Sequence, residues 1–186
     1  IQPNGLEARI KIALIEVRAE NLNRAQALVN EVLAQDNISA SALLMQAGFQ
    51  LSANKIDDAI VSVRTVLRDH PDSIRALALL GQAYDANGSR ELAIESYNKA
   101  FQLRPGSPTI ANRLAQYYLL QRNAAQADEV LQRSFNNGNR SAEALRLLTQ
   151  TKLALGDWDR AGQLARQLQK VEGQEAVSLE LLGVVY

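Results

Sequence analysis

From Ser73 onward, apolar residues recur at Leu77, Leu80 and Tyr84, the spacing of one face of a helix. Gly88-Ser89 interrupts the run. A second run begins at Leu92, Ala93, Tyr97 and Ala100, and Pro105 then forbids its continuation. The pattern predicts a helix–turn–helix unit with two helices of about 12–15 residues each. Nothing along the chain reads as a strand, so the prediction is all-α.

The unit returns. Ala25, Ala59, Ala93, Ala127 and Ala161 are each 34 residues apart, and Ser39, Ser73, Ser107 and Ser141 keep the same interval independently. A third register holds small residues at Ala13, Ala47, Gly81, Ala115 and Gly183, broken only by Thr149. Small side chains at a fixed place in each unit let two helix axes approach to about 8–10 Å. A serine before an apolar-periodic run can accept a hydrogen bond from an unpaired helix N–H, at about 1 kcal/mol each. Turns within the helix pairs are expected at Asn21, Asn54, Gly88, Asn123 and Gly156. Turns between pairs are expected at Asn37, Pro105, Asn139 and Gly173.

Leu77, Leu80-Gly81 and Tyr84, then Ala93 and Tyr97, then Pro105, resemble the tetratricopeptide repeat (TPR) pattern, with Leu77 in the usual Trp position. The likeness extends over nearly the whole chain, strongest at 74–107 and loosest at 40–73, where Gln46 and Gln50 replace an apolar residue and the Tyr. It implies a right-handed superhelical α-solenoid whose first helices line a concave groove. The repeats fall at about 6–39, 40–73, 74–107, 108–141 and 142–175. A partial sixth at 176–186 leaves Leu179, Leu182 and Val185 short of partners, which predicts weak self-association through uncapped ends.

Composition narrows the function. The 186 residues carry 20 basic and 20 acidic side chains, so no net field draws in nucleic acid or an anionic membrane. No apolar stretch is long enough to span a bilayer. With no cysteine and a single histidine, His70, a Cys/His metal site cannot be assembled. Ile1 is not a start residue, and the chain reads as one array cut from a longer protein. Abundant Asn and Gln, in place of the Lys and Glu of many cytosolic helical repeats, point to a periplasmic or outer-membrane-associated bacterial setting.

Candidate chemistry is sparse. His70 lies beside Asp69, Asp72 and Ser73, but Pro71 makes this a turn with Ser73 as the helix cap. Asp57-Asp58 reads as an acidic first turn favoured by the helix dipole, and Trp158 as packing in a helix seam. Three sequons (Asn37-Ile38-Ser39, Asn87-Gly88-Ser89, Asn139-Arg140-Ser141) are by-products of turn residues and caps. No catalytic residue, cofactor or metal ligand is predicted.

The TPR resemblance implies protein binding. Its groove positions fall on Ile10, Leu14, Val17, Leu44, Met45 and Leu51 in the first two repeats. In the next three they fall on Arg75, Gln82, Asp85, Asn112, Arg113, Gln116, Glu143, Arg146 and Gln150. The groove is thus expected to turn from apolar to polar, the apolar half being either a binding surface or the contact for a preceding repeat. The carboxylate clamp of chaperone-tail adaptors has no counterpart: its best registers place Ile10, Leu14, Met45, Arg75 and Leu79, or Ala78, Gln82, Arg113, Glu143 and Leu147, where several cations and amides are needed. The expected function is a non-catalytic scaffold for a protein or peptide segment, resembling repeat proteins of bacterial envelope assembly or exopolysaccharide export. The rival is a spacer or regulatory array packed on another domain of the same protein.

Overall fold

The computed structural model describes the backbone of residues 3–171 and 173–185, and the side chains of residues 5–171 and 173–184. Eleven helices and no strand occur among the described residues: α1 (Pro3–Arg18), α2 (Leu22–Gln35), α3 (Ala40–Ser52), α4 (Ile56–Asp69), α5 (Ile74–Ala86), α6 (Arg90–Leu103), α7 (Pro108–Leu120), α8 (Ala124–Asn136), α9 (Ala142–Ala154), α10 (Trp158–Gln169) and α11 (Glu175–Val185). The starts of α3, α5, α7 and α9 keep the interval predicted from the serine register.

Those serines are the N-cap residues of the four helices, but they do not all work alike. Ser73 and Ser141 accept from the Ala76 and Ala144 N–H groups at 3.4 and 3.2 Å. Ser39 and Ser107 make no side-chain capping bond, so the expected stabilisation of about 1 kcal/mol applies to two caps and not four. In α7 the following Pro108 is already set in the helical φ range.

The turns inside the helix pairs carry a register that residue identity did not disclose. Backbone φ is positive at Glu20 (62°), Asn54 (58°), Gly88 (74°), Arg122 (57°) and Gly156 (74°), again 34 residues apart. The expected turn positions Asn21 and Asn123 lie one residue too late, and both are N-caps, of α2 and α8. Asn favours both roles, so its presence could not separate them.

The chain divides into two compact units, residues 1–96 and 97–186. In the first, Ile10, Ala13, Val29, Val32, Ala42 and Met45 form a core on which Leu6, Leu14, Val17 and Phe49 pack. In the second, Leu131, Leu147, Leu148, Leu164 and Leu168 are nearly or fully buried around Ala115 and Ala127. Each such leucine contributes about 1.5–3 kcal/mol of burial. All five alanines of the main register have zero exposure. Thr149, the exception in the small-residue register, is also fully buried, and its hydroxyl donates to the Leu145 carbonyl at 2.8 Å.

Each unit holds one tyrosine of the repeat pattern by the same device. Arg64 Nη2 donates to the Tyr84 hydroxyl at 2.6 Å, and Asn98 Nδ2 donates to the Tyr118 hydroxyl at 3.2 Å. Arg64 and Asn98 are equivalent positions of successive repeats. Where Gln50 replaces the tyrosine, its Oε1 accepts from the Ser62 hydroxyl at 2.9 Å, so the polar substitution is satisfied inside its own helix pair.

Candidate functional site

In the first unit, α1, α2, α3 and α5 enclose an apolar cleft of 520 Å³. Its wall is built mainly from Leu14, Val17, Leu44, Met45, Phe49 and Leu79, with Arg75 at the start of α5. Four of the apolar groove residues expected from the sequence therefore come together: Leu14, Val17, Leu44 and Met45. Ile10 contributes to the core and to a neighbouring hollow of 650 Å³ that Leu14 also lines. Leu51 is half-buried and is not part of the cleft wall.

Arg75 stands with this apolar set and is exposed. Gln82 is also exposed, and Asp85 is half-buried.

The other polar groove residues lie in the second unit, and five of them are engaged with one another. Arg146 donates twice to Glu143, from Nη2 to Oε1 at 2.6 Å and from Nε to Oε2 at 2.8 Å. Its Nη1 donates to Gln150 Oε1 at 3.2 Å. Gln116 Nε2 donates to Glu143 Oε1 at 2.8 Å, and Arg113 Nη1 donates to Gln116 Oε1 at 3.4 Å. The Arg146 guanidinium, by its hydrogen bond first and its charge second, holds the Glu143 carboxyl below the usual glutamate range, and Glu143 raises Arg146 in return. Bidentate pairing of this kind satisfies a carboxylate by geometry as well as charge.

Asn112 has a different environment. It is buried, its Oδ1 accepts from Asn139 Nδ2 at 3.1 Å, and its Nδ2 donates to the Ser141 hydroxyl at 3.4 Å. Asn139 is itself 1% exposed and also donates to the Ser134 hydroxyl. The amides lock the α8–α9 turn onto α7, and each buried polar atom in the cluster gains a partner.

Elsewhere the structure sorts the remaining candidates. His70 is exposed in the turn after α4, Asp69 pairs with Arg68 at 3.2 Å, and Ser73 caps α5 as expected. Trp158 corrects its sequence reading. It is 50% exposed at the first position of α10 and does not fill a seam. Among the described residues no cluster of three or more His, Asp or Glu is placed to hold a metal ion. No described helix is long and apolar enough to cross a membrane. On α11, Leu179 is 57% exposed and Leu182 is half-buried, and the Val185 side chain lies outside the described residues.

Several residues of the cleft were missed, among them Asn23, Gln26, Phe49 and Gly48. Gly48 lies in α3 beside the small-residue register at Ala47, and a Cβ built on it meets nothing within 4 Å. A glycine inside a helix, off the register that needs small residues, was the available signal.

A family model described as the cytochrome c-type biogenesis protein H TPR domain matches residues 39–176. The structure of Pseudomonas aeruginosa pilF aligns at 19% identity over 96% of this chain and 81% of that one, with a TM-score of 0.82. YrrB, a TPR protein with an unusual peptide-binding site, aligns at 16% identity over 85% of this chain and 81% of that one, with a TM-score of 0.74. TTC0263, a thermophilic TPR protein of Thermus thermophilus, aligns at 16% identity over 97% and 98% of the two chains, with a TM-score of 0.66. At such identities the likeness concerns the fold. No curated protein matches the sequence.

Proposed function

The chain belongs to the cytochrome c-type biogenesis protein H TPR family, and from that premise we propose that it is a non-catalytic scaffold that binds a segment of a partner protein. The observation that carries this reading is the apolar cleft of the first unit, 520 Å³ of unfilled space between helices of a repeat fold. Repeat arrays bury their cores between neighbouring units and leave other faces for binding. YrrB, of the same fold, is described as having a peptide-binding site.

The family name directs the reading to the assembly of c-type cytochromes. We prefer this to exopolysaccharide export, and the periplasmic or outer-membrane-associated setting read from composition belongs to the same proposal. The client is a polypeptide that has not yet folded, because an open cleft takes side chains that a finished protein buries. Calorimetric titration with unfolded cytochrome c polypeptide and with the folded haem protein tests it. Uptake of the unfolded chain alone is the expected result. Indifference to the unfolded chain would sink the client assignment.

A second reading, an array docked on another domain of its own protein or on a second copy, draws on Leu179 and Val184, which are 57% and 59% exposed on α11. Sedimentation across a concentration series tests the second copy. Association that disappears in Leu179→Lys supports it, and a strict monomer removes it.

A further inference from the structure

We infer that the cleft of α1, α2, α3 and α5 receives large apolar side chains of a partner segment that carries an acidic side chain beside them. Arg75 takes the carboxylate, and Gly48 keeps the space open. The inference rests on the scaffold reading above and names the chemistry of its ligand.

Volume comes first. At 520 Å³ the cleft lies within the range of sites that bury small ligands, roughly 300–1,000 Å³. Its wall is mainly apolar, and it includes Met45, whose unbranched thioether adapts to ligands of different shape.

Gly48 supplies the second observation. Glycine in a helix interior costs about 0.5–1 kcal/mol relative to alanine. Close approach of another segment is one reason for a glycine, as in the turn after α6, where a Cβ on Gly106 would meet the Asn137 carbonyl oxygen at 2.4 Å. Gly48 has no such neighbour within 4 Å. What a side chain there would do is fill the cleft.

Charge then selects the partner. Of the thirteen residues lining the cleft, Arg75 alone is charged, and no acid accompanies it. Arg75 makes no ion pair among the described residues, whereas Arg146 is committed to Glu143. An arginine at an apolar lip matches a carboxylate in both geometry and charge. Asn23 and Gln26 add amides suited to the backbone of a bound segment. One cation suits an acidic side chain within the segment. A free C-terminal carboxylate held as in the chaperone-tail clamp draws on several cations and amides, and these are not gathered here.

The test uses fluorescence anisotropy with a short, end-blocked synthetic peptide carrying leucines and one glutamate. Its companions are a glutamine twin, a twin with serine in place of leucine, and a glutamate-free peptide ending in a free carboxylate. Each is titrated against the native protein and against Arg75→Gln, Gly48→Leu and Arg146→Gln.

On the native protein the glutamate peptide is expected to bind about tenfold more tightly than the glutamine twin. That advantage vanishes in Arg75→Gln and persists in Arg146→Gln. Gly48→Leu abolishes binding while thermal stability holds or rises, and the serine twin does not bind. Equal affinity for the two twins overturns the inference, as does preference for the free carboxylate or undiminished binding to Gly48→Leu. In those cases the scaffold reading stands if unfolded cytochrome c polypeptide still binds. If neither the peptides nor the polypeptide binds, both fail.

Discussion

The two units are built on one register and present opposite chemistry. In residues 1–96, the groove positions of α1 and α3 are apolar and leave a cleft with one charged side chain, Arg75, in its wall. In residues 97–186 the corresponding helices carry Arg113, Gln116, Glu143, Arg146 and Gln150, which hydrogen-bond to one another. A polar face whose donors and acceptors already satisfy each other has little left for a ligand, while an unfilled apolar cleft retains free energy to release on binding. Repetition conserves the seam and leaves the face to vary.

The largest expected difference between the units is in tolerance to truncation. Leu148 is 1% exposed, and Leu148→Ala should cost about 2–5 kcal/mol in chemical denaturation. Leu14 is half-buried against open space, and Leu14→Ala should cost clearly less, on the order of 1 kcal/mol, because fewer contacts are lost. Equal losses would mean that the cleft is closed in solution.

The seams should not differ. Ala59 in the first unit and Ala127 in the second have zero exposure at equivalent positions, so Ala59→Leu and Ala127→Leu should each overpack a seam by about 1–3 kcal/mol. A melting temperature that fails to fall in either variant breaks the equivalence.

The turns offer a change in the other direction. Glu20 and Arg122 hold positive φ where Gly88 and Gly156 do the same job without a Cβ. Glu20→Gly and Arg122→Gly should each stabilise by about 1 kcal/mol, read as a rise in denaturation midpoint. No gain in either unit would show that their side chains make compensating contacts.

The smallest effect separates the two faces by pH. Arg146 depresses the Glu143 carboxyl, so the pair contributes stability above the usual glutamate range and loses it as pH falls through the folded-state value. Glu143 is partly exposed, and with solvent screening the contribution is no more than about 1 kcal/mol. The stability gap between the native protein and Glu143→Gln should therefore close in acid, whereas Arg75→Gln should show no such dependence. A gap that stays constant down to acid pH would show that Glu143 is not held by charge.

The sequence disclosed what repeats. The Ala and Ser registers located the buried seams and the helix starts, because a small residue at a close approach and a cap before an apolar run are local requirements. It disclosed less where one residue type serves two roles or where contact depends on stacking. Glu20 and Arg122 carry no mark of left-handed backbone. Gln116 meets Glu143, and Asn112 meets Asn139, across 27 residues, a pairing visible only once consecutive helices are packed. Trp158 precedes Ala161 by three residues and shares its helical face, but a register does not say where along a helix the cover ends. The cleft was legible in part, through Leu14, Val17, Leu44, Met45 and Arg75, while Asn23, Gln26, Gly48 and Phe49 were overlooked.

The Asn112–Asn139 lock also sets a clock. Asn139 heads the sequon Asn139-Arg140-Ser141, and its amide is buried and bonded in the folded chain. Asn37 and Asn87, heading the other two sequons, are exposed. In a glycosylating secretory host, a glycan can reach Asn139 only before the second unit closes, whereas Asn37 and Asn87 stay open afterwards. The ratio of occupancy at Asn139 to that at Asn87 would then record how the folding time of the second unit compares with the transit of the transferase. A glycan attached at Asn139 would hold that unit open.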